Sequence, residues 1–383
     1  MVTTADAADP LLITGARIVA GGEIVENGWV RFDGGRVVSR GAGGAPRFDG
    51  KTVDAHGRLL TPGFIDVHVH GGGGGAASDG GDAIARMLRA HRAHGTTRTV
   101  LSLVTAPIDE LIETIRSIAP LVRRDPLLLG IHLEGPFLSP HAKGAHDPSA
   151  LIAPTPAVVE ALLHAAEGTL AQITIAPELP GALSAVRTFV RAGVRVAVGH
   201  TTADLATAAA AFDEGASLLT HAFNAMPVLG HRAPGPIGAA LERPQVALEL
   251  IADGMHVHPI LVAALFRLAP DRVALVTDAM AAAGQADGAY RLGPFDVDVR
   301  GGAARLADGT LAGSTLTLDA GIRTAVAAGV HIAEAVGAAT ATPARAIGRG
   351  DLGRLDVGSP ADAVLLNDLL LVDEVWADGR RLT

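Results

Sequence analysis

The chain has 383 residues, of which 49% are hydrophobic and 19% are charged, and it contains 47 glycines, 22 prolines and no cysteine. So much apolar material excludes a disordered or fibrous protein, and the lack of cysteine excludes disulfide scaffolds, cysteine–zinc sites and thiol nucleophiles. The formal net charge of −9 argues against a nucleic-acid-binding surface, which normally carries a basic stripe.

The N-terminal segment MVTTADAADPLLITG carries acids and a proline where a secretory signal carries basic residues followed by an apolar run. No run of the sequence reaches the roughly 18 apolar residues that a membrane span needs. We therefore expect a cytoplasmic protein that neither spans a membrane nor binds nucleic acid.

The two ends of the chain share one pattern, in which short strand-like runs alternate with glycine-rich turns. Neither end has enough apolar residues for a core of its own. We therefore predict one small β-sandwich built from both termini, with domain boundaries at 1–60, 61–348 and 349–383. Its predicted strands are 11–13, 17–19, 29–32, 36–39, 363–366 and 372–377.

The middle of the chain alternates short β-branched runs with amphipathic helical stretches. The runs are 63–70, 98–104, 127–134, 171–177, 195–200, 218–221, 246–253 and 273–278, and the clearest helical stretches are 82–94, 107–124, 156–167, 180–192 and 203–215. Eight such units predict a closed (β/α)₈ TIM-like barrel, because a doubly wound sheet usually needs only five or six strands. A strand-like segment at 290–311 predicts a hairpin inserted after the eighth strand.

Six metal-binding side chains stand at the ends of five of these strands. They are His68 and His70 on the first strand, Glu134 on the third, His200 on the fifth, His221 on the sixth and Asp278 on the eighth. Barrel active sites are built at this end of the strands. His68 and His70 are two residues apart, so that both point to the same face of their strand. Nitrogen and carboxylate ligands suit a catalytic zinc or iron with an open position for water.

This set of residues predicts a metal-dependent hydrolase. A divalent ion lowers the pKa of bound water from about 15.7 towards 7, and a carboxylate such as Asp278 can take the water proton and pass it to a leaving amine. Phosphoester hydrolases use similar metals, so the ligands alone leave the substrate open. Taken singly, His200 also fits a structural histidine, and Asp278 also fits a helix cap.

Seven segments of the chain resemble one known family in their order and spacing. They are PGFIDVHVHG, HLEGPFLSPHAKGAH, GHT, THAFNAM, DGMH, VTDAM and LAGSTLT. The chain resembles the N-acetylglucosamine-6-phosphate deacetylase family of the amidohydrolase superfamily over nearly its whole length. PGFIDVHVHG alone marks only the superfamily, whereas HLEGPF with its downstream GAH, and HAFNAM, are specific to the deacetylases. The resemblance implies a homodimer that hydrolyses N-acetyl-D-glucosamine 6-phosphate to D-glucosamine 6-phosphate and acetate, with the sugar phosphate bound near the subunit interface.

The resemblance also implies roles for individual residues. Glu134, His200 and His221 would be the main metal ligands, Asp278 the catalytic acid and base, and His146 a residue that polarises the acetyl carbonyl. Arg232 would bind the phosphate, because its planar fork binds oxyanions through two hydrogen bonds. The positions implied to contact the substrate are Ala145, Asn224, Ala225, Arg232, His256, Leu311, Ala312 and Gly313.

The expected cofactor is zinc, with iron as the alternative. Because the chain keeps His68 and His70, with Asp278 beside them, we predict two divalent ions per subunit, the second weaker. The alternative is a single ion at Glu134, His200 and His221. Two other functions remain open at this point. One is a different metal-dependent amidohydrolase, such as an N-acyl amino acid deacylase, a cyclic amidase or a deaminase, and the other is a non-catalytic barrel scaffold.

Overall fold

The computed structural model describes residues 8–382, so residues 1–7 of the predicted first domain segment and residue 383 lie outside the described part. The described chain begins with five strands, β1 (Leu11–Ala20), β2 (Glu23–Asp33), β3 (Arg36–Ala42), β4 (Lys51–Asp54) and β5 (Leu59–Pro62). The predicted strands 11–13 and 17–19 form the single strand β1, whose pairing with β2 is irregular around Ala16.

A parallel sheet follows, and it confirms the predicted barrel. It begins with β6 (Phe64–Val69), and a small hairpin of β7 (Gly71–Gly72) and β8 (Gly75–Ala76) comes next. The other parallel strands are β9 (Thr96–Val104), β10 (Leu128–Glu134), β11 (Leu170–Ile175), β12 (Arg195–Val198), β13 (Leu218–Leu219), β14 (Ala247–Leu250) and β15 (Val273–Leu275). They pair in chain order from β6 and β9 to β15. Just beyond β15, the Asp278 N–H donates to the His68 carbonyl oxygen of β6 at 2.8 Å, which joins the last strand to the first.

The helices cover the barrel, and all but the last three alternate with its strands. They are α1 (Gly81–Arg92), α2 (Ile108–Arg124), α3 (Pro156–Ala166), α4 (Ala182–Arg191), α5 (Leu205–Asp213), α6 (Gly235–Leu241), α7 (Pro259–Leu268), α8 (Leu318–Ala327), α9 (Ile332–Ala338) and α10 (Ala341–Ala346). Local capping explains some of their starts. The Thr155 side chain accepts a hydrogen bond from the Val158 N–H with a proline in the first turn of α3, and the Asp204 side chain accepts from the Thr207 N–H at α5.

The insertion after the eighth barrel strand differs from the predicted hairpin. It is a three-stranded antiparallel sheet of β16 (Gly288–Leu292), β17 (Phe295–Arg300) and β18 (Ala303–Arg305). Gly301 and Gly302 have φ values of 56° and 77°. Glycine adopts this left-handed region without a steric penalty, so the chain can turn back here and add the third strand. The apolar side of the sheet packs against Met280, which follows β15.

The chain then returns to the first sheet through β19 (Ala363–Leu366), β20 (Val372–Ala377) and β21 (Arg380–Arg381). β19 pairs with β5, and all strands of both ends hydrogen-bond into one sheet with a hydrophobic cluster of its own. The predicted companion domain from both termini is therefore confirmed, and its boundaries at 60/61 and 348/349 stay predictions. Arg98 of β9 binds the carboxylates of Asp362 and Asp378 at 2.7 and 2.6 Å, which ties the barrel to this sheet. Among residues 8–382, every helix is too short or too polar to cross a membrane.

Candidate active site

The six predicted metal-binding side chains meet at the C-terminal end of the barrel, around the carboxylate of Glu134. Its Oε1 lies 3.1 Å from Nε2 of His200 and 3.0 Å from Nε2 of His221, and its Oε2 lies 3.1 Å from Nε2 of His70. Two groups share Glu134. They are Glu134, His200 and His221, and His68, His70, Glu134 and Asp278, and within each group the ligand atoms lie within 4.8 Å of one another.

Three of these residues have an unusual backbone conformation. His200, His221 and Asp278 follow the ends of β12, β13 and β15 and have φ values of 46°, 24° and 47°. Residues with a Cβ rarely occupy this region, and where they do, the surrounding structure compensates the strain. Such strain clusters at functional sites, and here it occurs at three side chains that converge on one point.

Hydrogen bonds on the outer side of the rings assign their tautomers. The Nδ1–H of His200 donates to the Ala142 carbonyl oxygen at 2.9 Å, and the Nδ1–H of His68 donates to the Glu249 carboxylate at 3.0 Å. In the neutral rings the lone pair of Nε2 therefore faces the centre. The Nε2 atoms of His200 and His221 are only 3.0 Å apart. The lone pair on Nε2 of His200 therefore faces a second ring nitrogen and the Glu134 carboxylate, and this donor set fits a transition-metal cation.

The charges of the cluster lead to the same conclusion. Burial alone would lower the pKa of His70, but hydrogen bonds to Asp278 and Glu134 outweigh it and raise that pKa to about 9. Burial would raise the pKa of Glu134, but the charges of His68 and His200 hold it well below its usual range. Burial would also raise the pKa of Asp278, but the charge of His68 and a hydrogen bond from His70 lower it below its usual value. The carboxylates thus favour positive charge at the centre, which protonated histidines supply in the metal-free chain and which a bound divalent cation would supply in their place.

His146 reaches the same centre from the loop after β10. Its Nε2 lies 3.3 Å from Oε2 of Glu134, and the backbone N–H of Thr105 donates to its Nδ1 at 3.3 Å. The Thr105 hydroxyl lies 2.9 Å from the same Nδ1 and can donate to it as well, and the ionised Glu134 carboxylate beside Nε2 can only accept, so we assign the proton of the neutral ring to Nε2. His146 can therefore donate a hydrogen bond to a carbonyl oxygen placed beside Glu134.

A pocket of about 660 Å³ opens over the cluster. Of the predicted substrate positions, it is lined by Ala145, Asn224, Ala225, His256, Leu311 and Gly313. Ala312 is buried beside it, and its N–H donates to the Ala304 carbonyl oxygen. Arg232 does not line the pocket. It is exposed on the loop between β13 and α6, and its side chain has no hydrogen-bond or ion-pair partner within residues 8–382.

Several polar residues of the site are absent from the sequence-based prediction. Glu249 lies inside the apolar run of β14. A single acid in such a run indicates a buried carboxylate, which needs hydrogen-bond donors around it. His132 precedes Glu134 by two residues on β10, and this spacing places both side chains on one face. Lys143 and Arg305 line the pocket. A signal for Lys143 is its position in the sequence between two predicted site residues, Glu134 and His146. No spacing pattern in the sequence indicates Arg305.

Comparisons with known proteins agree with this geometry. A model of the amidohydrolase family matches residues 59–382. An N-acetylgalactosamine-6-phosphate deacetylase of Escherichia coli O157:H7 is 41% identical over 328 residues, which cover 84% of this chain and 87% of that protein. An N-acetylglucosamine-6-phosphate deacetylase of Rattus norvegicus is 36% identical over an alignment of 396 positions, gaps included, that covers 96% of this chain and 94% of that protein.

A solved structure is similar over almost the whole chain. It is a mutant N-acetyl-D-glucosamine-6-phosphate deacetylase of Mycobacterium smegmatis in complex with N-acetyl-D-glucosamine-6-phosphate. Its TM-score is 0.93 at 42% identity, and the match covers 98% of this chain and 99% of that one. With the family model matching most of its length and relatives of this similarity, the chain belongs to the amidohydrolase family.

Proposed function

We propose that this chain hydrolyses the acetamide bond of N-acetyl-D-glucosamine 6-phosphate to give D-glucosamine 6-phosphate and acetate. One observation carries the proposal: the pocket opens over Glu134, His200 and His221 together with Asp278 and His146. In addition, relatives whose matches cover more than four-fifths of this chain bear the name of this deacetylase. The site offers metal ligands, a carboxylate and a hydrogen-bond donor within a few ångströms, which are the groups that amide hydrolysis needs.

The resident cofactor is a divalent metal, which we propose to be zinc, with iron as the alternative. Glu134, His200 and His221 would hold one ion, and His68, His70 and Asp278 would hold a second ion together with Glu134. Four imidazoles and two carboxylates favour these metals over magnesium or calcium, which prefer oxygen ligands. When bound, such an ion polarises the acyl oxygen and lowers the pKa of a water molecule towards neutrality.

Asp278 moves the protons of the reaction. Its carboxylate takes a proton from the attacking water while the water oxygen bonds to the acyl carbon. As the carbon–nitrogen bond breaks, the same carboxyl group returns the proton to the amine, so that acetate and the amino sugar leave. Its Oδ1 lies 3.3 Å from Nε2 of His70, which places the carboxylate at the edge of the proposed metal centre. General acid–base catalysis of this kind contributes roughly 10²- to 10⁴-fold in rate.

His146 stabilises the charge that develops on the acyl oxygen. The N–H of its Nε2 points into the centre, since Thr105 occupies Nδ1. A donor that is already oriented towards the developing charge needs no reorganisation when the reaction occurs, which makes it effective in a buried site. His146 is 5% exposed, so water competes little for this hydrogen bond.

The sugar phosphate lies in the pocket, and Asn224, Ala225, His256 and the backbone at 145 and 311–313 contact it. The ring of His256 is held by a hydrogen bond of 2.7 Å from its Nδ1 to Asp253. Arg232 lies outside the pocket of its own chain, and we propose that it binds the phosphate in the pocket of a second subunit. Val228 and Leu229, which lie on the same loop as Arg232, are 78% and 39% exposed. We propose that the homodimer contact covers these two adjacent apolar side chains.

A second substrate deserves a direct comparison because of one relative. The Escherichia coli protein bears the name of a deacetylase of N-acetylgalactosamine 6-phosphate, and its identity to this chain is 41%. The two sugars differ only in the configuration at C4. The name of the Escherichia coli protein therefore makes N-acetylgalactosamine 6-phosphate a candidate substrate of this chain as well.

The test measures acetate release by the metal-loaded protein from four compounds. They are the 6-phosphates of N-acetylglucosamine and N-acetylgalactosamine, unphosphorylated N-acetylglucosamine and an N-acetyl amino acid. We expect kcat/KM to be highest for N-acetylglucosamine 6-phosphate. A higher value for the acetyl amino acid would favour another amidohydrolase activity, and no turnover of any compound by metal-replete protein would favour a non-catalytic scaffold.

The predicted cytoplasmic location stays a prediction.

A further inference from the structure

Glu249 is a buried acid at the base of the proposed metal centre. It lies on β14, and it is 0% exposed. Its Oε1 accepts a hydrogen bond from the side-chain amide of Gln172 at 2.6 Å, and its Oε2 accepts from Nδ1 of His68 at 3.0 Å. The His221 backbone N–H donates to the same Oε2 at 3.4 Å. Glu249 therefore contacts one residue of each candidate metal group.

The partners of Glu249 determine the direction of these hydrogen bonds. The side-chain amide N–H of Gln172 and the backbone N–H of His221 can only donate, so both carboxylate oxygens accept, as an ionised carboxylate does. Nδ1 of His68 then carries the proton that it donates to Oε2. The lone pair on Nε2 of His68 consequently faces the centre, 3.2 Å from Nε2 of His70 and 3.4 Å from Oε1 of Glu134.

The four imidazoles of the centre differ in their outer partners. Among the described residues, Nδ1 of His70 and Nδ1 of His221 have no hydrogen-bond partner. Nδ1 of His200 donates to a neutral backbone carbonyl. His68 alone donates to an ion, the Glu249 carboxylate. A carboxylate behind a ligating imidazole fixes the ring and makes its other nitrogen a stronger ligand.

We propose that Glu249 is a positioning residue that sets the affinity of the His68, His70, Glu134 and Asp278 group for its divalent cation. The proposal rests on the metal-dependent function proposed above. The contact of Glu249 with the other group is a backbone hydrogen bond to His221, which leaves the ring of His221 unchanged. Loss of the Glu249 charge should therefore weaken one ion and spare the other.

The test is Glu249→Gln, which removes the charge and keeps the shape. A rotated Gln172 amide can accept from the new amide group, and the remaining carbonyl oxygen can still accept from His68. Zn²⁺ is titrated into metal-free protein by calorimetry, and Co²⁺ is titrated with its visible absorption as the signal. We expect the dissociation constant of the weaker ion to rise roughly 10- to 100-fold, with an altered cobalt spectrum at that step and an unchanged affinity for the tighter ion.

Gln172→Met is the matched control, because it removes a hydrogen bond to the same carboxylate and leaves the His68 contact in place. It should lower the melting temperature of the metal-free protein without weakening the second ion. Equal weakening by both variants would show that packing rather than the Glu249 charge matters, and this would overturn the proposal. Two ions bound with wild-type affinities by Glu249→Gln would overturn it as well.

The wild-type protein separates this proposal from the proposed function. A wild-type chain that binds no divalent ion and releases no acetate contradicts the function itself. A wild-type chain that releases acetate with one ion, held by Glu134, His200 and His221, contradicts only the role of Glu249. Circular dichroism of each metal-free variant excludes unfolding as the cause of a lost ion.

Discussion

The backbone N–H of Asp278 donates a hydrogen bond to the carbonyl oxygen of His68 at 2.8 Å. His68 lies on the first barrel strand and Asp278 follows the last, so this bond helps to close the barrel at the point where the proposed site forms. The carboxylate of Asp278 and the ring of His68 are 3.5 Å apart at their nearest atoms. Because the main chain of Asp278 makes this bond, a change of its side chain alone should leave the closure intact.

Asp278→Asn should therefore abolish catalysis without unfolding the protein. The amide has nearly the same shape as the carboxylate, but it cannot accept and return a proton, and we expect kcat to fall roughly 10²- to 10⁴-fold. Acetate release and the melting temperature measure the two effects. The Glu134, His200 and His221 group should keep its ion, which metal analysis checks. Near-normal turnover by this variant would assign the proton transfer to another residue.

His70→Asn should reduce the metal content to one ion per subunit. His70 contributes its ring only to the group that contains Asp278, where its Nε2 lies 3.1 Å from Glu134 and 3.3 Å from Asp278. We expect the wild-type protein to take up two ions and this variant to take up one, measured by elemental analysis after dialysis against zinc. If one equivalent of zinc restores full activity to stripped wild-type protein and His70→Asn has no effect, the two-ion prediction is wrong.

Arg232→Ala should weaken the use of phosphorylated substrate alone. Hydrogen bonds to a charged group contribute about 1.5–3 kcal/mol each, so KM for N-acetylglucosamine 6-phosphate should rise by at least about tenfold. The unphosphorylated sugar serves as the control substrate, and its kcat/KM should not change. Equal losses on both substrates would make Arg232 a structural residue. Sedimentation tests the homodimer separately, because in a monomer Arg232 would remain outside the pocket that lies over the metal-binding cluster.

Asp319→Asn should destabilise the fold in a pH-dependent way. Asp319 on α8 is 2% exposed and accepts hydrogen bonds from His94, Thr317 and Arg323. Burial would raise the pKa of its carboxyl group, but these hydrogen bonds lower it from 3.8 to about 2. Because the pKa is lower in the folded state than in the unfolded state, the ionised carboxylate stabilises the fold at pH values above the unfolded pKa. This stabilisation is complete above about pH 5 and disappears as the pH falls towards 2.

Urea unfolding checks this expectation for Asp319. One pKa unit corresponds to about 1.4 kcal/mol, so Asp319→Asn should lower the free energy of unfolding by about 2 kcal/mol at pH 7. The difference from wild type should shrink between pH 5 and pH 3. Glu160→Gln, at an exposed position of α3, is the control and should change little at any pH. A difference that stays constant with pH would show that the charge of Asp319 does not contribute.

Much of the barrel was predictable because its signals are local. Each buried barrel strand is a short apolar run in the sequence, and the eight barrel strands of the structure fall within or overlap the eight predicted ones. In the companion sheet, β19 and β20 have the predicted bounds. The candidate metal ligands were predictable for a related reason. In a parallel barrel the C-terminal ends of all strands meet at one end, so chain order alone brings Glu134, His200 and His221 to the same region.

The third strand of the inserted sheet was not predictable in this way. β18 spans only Ala303–Arg305, and three residues carry too little alternation to distinguish a strand from a turn. Its place depends on the apolar cluster around Met280, which forms only when the insertion packs on the barrel.

The sequence by itself determined the barrel, the companion sheet from both termini and the metal-binding residue types at the strand ends, because apolar periodicity and position along a strand are local properties. The tertiary structure alone decided which side chains touch. Glu249 is 181 residues away from His68 in the chain and contacts it at 3.0 Å across the barrel interior, and Arg232 lies outside a pocket that Lys143 and Arg305 line. Such contacts depend on how the closed barrel orients its inward side chains and its loops, and the spacing of residues along the chain carries no record of that orientation.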